Sequence, residues 1–252
     1  MKPFVFITSF LAIEFGARRI SMPRLIRITT ISILLITSTG AIAFQRPDQS
    51  TLEQTRSLCD RAVAEGRIFW EEARHLSAEE FEGTLYVSRA DAAVAGRAIE
   101  EIDRLLKKHG PDSDVAVQML ATAASSDFPD IVFRLLDKGV PIDGKPGIAP
   151  PLVSAGFCGR HQMASHLLAR GADPNIYWGD PSSAEPMVQA IANRDQELAH
   201  LLLANGYDPC RTELSDGRDL RDLLVRHPEL DPDDAFWSQL VCKERFRQRA
   251  RQ

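Results

Sequence analysis

No two of the four cysteines, Cys59, Cys158, Cys210 and Cys242, stand at CxxC spacing. A zinc-binding or redox motif is therefore not indicated. Positive charge is not in excess either: Lys and Arg number 30 against 35 Asp and Glu, for a net charge of −5. A general nucleic-acid binder needs a basic footprint, so that class is set aside. The run Lys243–Arg251 is local, and it reads as the solvated end of a terminal helix, where cations favour the dipole. Catalytic groupings are missing as well. Ser154 and Ser182-Ser183 lack the glycines of a nucleophile elbow. His161 and His166 are five residues apart, a poor pairing for a metal, and with His200 they read as surface or edge histidines. Asp233-Asp234 follows a proline and reads as a helix start. Gly144-Lys145-Pro146-Gly147 is short and broken by proline, so it is no phosphate loop. These absences point to a non-enzymatic protein with no cofactor, metal or small-molecule substrate.

What the chain does contain is a recurring glycine. Gly139, Gly171 and Gly206 each follow a Leu-Leu pair by three residues, at intervals of 32 and 35. Self-similarity at such a period marks a stack of repeats. The best-formed unit runs from Pro150 to Asn175. Its two prolines suit the first turn of a helix, where a missing N–H costs nothing. Leu152 and Ala155 lie on one face of that helix, and Gly159 ends it. Met163, Leu167 and Leu168 form the stripe of a second helix, closed by Gly171 in a left-handed conformation. Asp173-Pro174-Asn175 is turn chemistry. The next unit matches with Pro186, Met187, Ala190, Leu198, Leu202, Leu203, Gly206 and Asp208. An earlier one matches with Leu120, Ala123, Ala124, Ile131, Leu135, Leu136, Gly139 and Asp143. Each pair is too short and one-sided to bury its own face, so stacking must stabilise it.

This pattern resembles the ankyrin repeat family. Leu167–Asn175 is close to the family's helix-exit signature, and Pro151–Ala155 resembles the start of its first helix. The resemblance is firm over residues 117–210 and fades to a partial unit on either side. The chain departs from it at the histidine that begins the first helix, replaced by Ala121, Val153 and Val188. Turns held by that histidine are expected to be looser here. The expected fold is all-α: an ankyrin-like solenoid of stacked helix pairs over 111–215. Helical caps are expected at 44–110 and 216–252. In the first cap, Leu52, Leu58, Ala62 and Val63 give one apolar stripe, followed by Ile68, Phe69 and Trp70; Ala98, Ile99, Ile102, Leu105 and Leu106 give another.

Residues 1–43 read as an address. Met22–Arg27 supplies a start and a basic region, Ile28–Thr37 an uncharged apolar run, and Ala41-Ile42-Ala43 a signal-peptidase pattern. Cleavage is expected between Ala43 and Phe44, with Met22 as a possible true start. An uncleaved anchor is the alternative, although the run is short of the ~20 residues that a spanning helix needs. Export to a bacterial periplasm permits disulfides. Cys210 and Cys242 are the expected pair, one repeat apart, with Cys59 and Cys158 as small buried hydrophobes.

The resemblance implies partner contact at the turn tips and on the first helices. The positions are Ser125, Ser126, Phe157, Tyr177, Trp178 and Asn193. Tyr177 and Trp178 lie in the segment that lengthens the 35-residue interval, and aromatic anchors dominate interfaces. The expected function is a periplasmic scaffold or regulator that binds another protein. Alternatives are an immunity protein against a periplasmic toxin, an enzyme with its site in the N-terminal helices, and a membrane-tethered scaffold.

Overall fold

The computed structural model describes residues 50–77, 81, 88–176 and 185–210. Among these residues the structure is all-helical, with nine helices and no strand. They are α1 Ser50–Ala73, α2 Arg89–Ala95, α3 Ile99–His109, α4 Asp114–Ser125 and α5 Pro129–Asp137. α6 Pro151–Phe157, α7 His161–Ala169, α8 Pro186–Ala192 and α9 Gln196–Ala204 follow.

Local chemistry explains the helix ends. Ser88, Ser113 and Asp195 cap α2, α4 and α9 by accepting a backbone N–H from within the first turn. Proline begins α5, α6 and α8 instead. Gly110, Gly139, Gly171 and Gly206 follow the second helices with φ between 85° and 93°. That is a backbone that costs a side chain free energy and costs glycine little. A second recurring position lies between the helices of each pair. Arg97, Asp127, Gly159 and Arg194 all have φ between 52° and 62° there. Three of the four carry a side chain, so glycine at 159 needs a separate reason.

Helices α2 through α9 form four consecutive pairs. The first helices α2, α4, α6 and α8 contact one another in that order, and each contacts its own second helix. The pair α2–α3 thus completes the half-unit legible in the sequence from Glu101 to Gly110. Leu120, Ile131, Leu135, Leu152, Met163, Leu167, Met187, Leu198 and Leu202 are all buried in one continuous core.

Polar contacts repeat at the same period. Arg97 reaches Asp130, and Arg170 reaches Asp137. Arg134 pairs with Asp103, whose carboxyl is held below its usual range chiefly by the hydrogen bond from that guanidinium. The turns are tied by carboxylate and amide side chains. Asp143 accepts from Asp173 N–H at 2.9 Å, and Asn175 accepts from Asp208 N–H at 2.8 Å. Asn175 also donates to the Gly206 carbonyl at 3.2 Å. Short Asp and Asn side chains therefore bind neighbouring turns to one another in a chain without the expected histidine.

Candidate partner-binding face

The four inner turns, at 96–98, 126–128, 158–160 and 193–195, line up where first helices end and second helices begin. Helix α1 packs against the first and the third of these turns. At its C-terminal end Gly66, Trp70 and Ala73 are buried, at i, i+4 and i+7 on one face. The Trp70 ring lies so close to Gly96 that an added Cβ would stand 2.3 Å from it. A Cβ on Gly66 would stand 2.8 Å from that of Ala95. Arg89 anchors the same end. Its guanidinium lies 5.9 Å from the Trp70 ring and 5.3 Å from the Phe81 ring. It also donates to the Leu76 carbonyl and to buried Glu101.

The N-terminal half of α1 reaches the third pair. Arg56 donates to the Gly159 carbonyl at 2.6 Å, and Asp60 pairs with Arg160. Arg160 in turn donates to the Ser125 carbonyl at 3.0 Å, linking two consecutive turns. A Cβ at 159 would meet Leu52 Cδ1 at 2.8 Å. The approach of α1 is thus the reason that glycine stands where the equivalent turns have Arg or Asp. Cys59 of α1 and Cys158 of the third turn are disulfide-bonded, with Cα atoms 5.9 Å apart. The expectation that both are simple buried hydrophobes is therefore corrected: the fold brings residues 99 positions apart into bonding range. Cys210 is also disulfide-bonded. Cys242, its expected partner, lies outside the described residues.

The residues expected to meet a partner are placed unequally. Phe157 ends α6 with 51% of its surface exposed, beside the Cys59–Cys158 bridge. Ser125 is partly buried, and its hydroxyl donates back to the Thr122 carbonyl. Ser126 and Asn193 are buried at the ends of α4 and α8, at 7% and 9% exposure. Their side chains offer little to a partner in this conformation. Tyr177 and Trp178 lie outside the described residues, as do the Ala43–Phe44 junction and the segment 216–252.

His161, read from the sequence as a surface or edge histidine, is partly buried. Its side chain is 14% exposed and bridges two pairs. Nε2 lies 2.6 Å from Asp195 Oδ2, and Nδ1 lies 2.8 Å from Glu197 Oε2. Only the protonated ring can donate from both nitrogens. The Asp195 hydrogen bond is the main cause of a pKa raised above 6.5, aided by both carboxylate charges and opposed by burial and by Arg56. His166 packs edge-on against Phe133. No cluster suited to a metal occurs among the described residues.

No protein-family model matches this chain, and no curated protein matches it either. Sequence reasoning missed α1 as part of the candidate face. A signal was present: Gly66 interrupts a helical pattern at a cost of about 1 kcal/mol relative to alanine, and such a glycine usually has a packing reason. Among the described residues no helix is long and apolar enough to cross a membrane.

Proposed function

We propose that this chain is an exported, non-enzymatic protein of the ankyrin-repeat type that binds and regulates another protein in a bacterial periplasm. The observation that carries this reading is the recurrence of one structural plan in four helix pairs. Each has the same left-handed turn between its helices, and polar contacts between pairs recur one repeat apart. Such a stack contacts itself only through neighbours and leaves an extended surface for a partner. The Cys59–Cys158 bond is compatible with export, because disulfides persist in oxidising compartments. The binding surface in this reading takes in exposed Phe157 and, as expected from the sequence, the aromatic anchors Tyr177 and Trp178.

The test begins with a photo-crosslinking residue at position 157 in the exported protein, to identify what touches the face. Titration then compares wild type with the Tyr177→Ala/Trp178→Ala double variant. Loss of two aromatic anchors is expected to weaken binding by on the order of 2 kcal/mol or more, with little change in melting temperature. If the double variant binds normally but melts much earlier, the rings are packing residues and the assigned surface is wrong. N-terminal sequencing of the exported chain is expected to begin at or near Phe44.

A further inference from the structure

Helix α1 has two unequal halves. Gly66, Trp70 and Ala73 are buried against the stack, whereas no residue from 52 to 65 is buried. Leu58, next to Cys59, is 57% exposed. Noncovalent contacts of this outer half with the stack include Leu52 on Gly159, the Arg56 hydrogen bond and the Asp60–Arg160 pair. In that pair the Asp60 side chain is 59% exposed, whereas Arg160 is 10% exposed and also holds the Ser125 carbonyl. A detached helical arm of this length is marginal in water. The covalent tie to Cys158 thus sits on the half of α1 that buries no residue against the stack.

We propose that residues 52–65 are a strap locked across the inner turns by the Cys59–Cys158 disulfide, and that a dithiol reductant unlocks it. The two cysteines differ in burial: Cys158 is buried, while Cys59 is partly exposed. A thiolate of the reductant attacks Cys59 Sγ, forming a mixed disulfide and expelling the Cys158 thiolate. The second thiol of the reductant then attacks its own sulfur in the mixed disulfide and releases the Cys59 thiolate. Both protein thiolates take up protons; the protein disulfide gains two electrons, and the dithiol is oxidised to its own disulfide. With the tie gone, residues 52–65 lift, uncovering Gly159 and the Arg160 guanidinium, while Trp70 and Ala73 keep the other half seated.

Hydrogen exchange on the full chain tests this. The oxidised wild type is compared with Cys59→Ser/Cys158→Ser, and with wild type reduced by dithiothreitol and capped with iodoacetamide. The second sample reaches the unlocked state without relying on the variant to fold. Peptides within 52–65 are expected to exchange at least about tenfold faster in both samples, while peptides from 114–137 and 161–204 keep their protection. Iodoacetamide is expected on Cys59 and Cys158 of otherwise folded protein; label on Cys210, which is also disulfide-bonded, is mapped separately, and the double variant, which keeps that bond, isolates the effect of Cys59–Cys158. Unchanged protection over 52–65 would show that the strap needs no lock. Loss of protection throughout 114–204 would show that the bond supports the stack instead. Failure of dithiothreitol to open the bond in the folded chain would remove the unlocking step.

Discussion

His161 shows how one side chain couples neighbouring helix pairs to pH. Its ring donates to Asp195, which at the same time caps α9 through the Leu198 N–H. The raised pKa sets the sign of the effect. Below the unfolded value near 6.5, native and unfolded chains both hold the proton, so the stabilisation is fully present. It is lost as pH climbs through the higher native value, where the folded ring also gives up its proton. His161→Gln is therefore expected to cost about 1.5–3 kcal/mol below roughly pH 6, the range for hydrogen bonds to a charged group. The gap between wild type and variant should narrow as pH rises. Denaturant titrations across that range check it, and a gap that widens with pH would refute the assignment.

At the scale of the element, each second helix contributes a stripe that only its neighbours can bury. Leu202 of α9 is fully buried in the common core. Leu202→Ala is expected to destabilise the stack by roughly 2–5 kcal/mol, since the cavity collapses only in part. A fall in the denaturation midpoint with an unchanged slope would identify the loss as one of stability. Helix α1 follows a different logic. Its buried face is made by glycine meeting tryptophan and alanine at close approach, and by a covalent bond, not by leucine stripes. The periodicity that exposes the repeats therefore says little about where α1 lies.

For the whole molecule, the Cys59–Cys158 bond closes a loop of sequence separation 99. Restricting a loop of that size in the unfolded chain has a ceiling of about 4.7 kcal/mol in the chain-entropy model. Removing both sulfurs from a rigid native state would approach that loss. In the strap reading the native state also gains freedom when the tie goes, which returns part of the entropy. Cys59→Ser/Cys158→Ser is therefore expected to lower unfolding free energy by clearly less than the ceiling, on the order of 2–3 kcal/mol. Equilibrium unfolding of the variant against the oxidised wild type gives the number. A loss at or above the ceiling would mean that the bridge holds a native state that does not loosen.

The repeated units were legible from local chemistry. Leu-Leu stripes, prolines at helix starts and glycines after second helices act over a few residues, and Gly139, Gly171 and Gly206 adopt the positive φ that their spacing implied. Leu152, Met163, Leu167, Leu198 and Leu202 are buried as their periodicity required. Contacts that span the chain were not legible. Cys59 meets Cys158 and Arg56 meets Gly159 only because α1 reaches from the first inner turn to the third, and no local pattern records that path. Ser126 and Asn193 look like surface residues in sequence because they are polar turn residues, yet packing at the ends of α4 and α8 buries them. His161 likewise depends on a neighbour one repeat away to supply Asp195 and Glu197. The sequence by itself determined the helices and their apolar faces, because those follow from neighbours three and four residues apart. The tertiary structure decided the covering of the inner turns, because that required bringing together residues about a hundred positions apart.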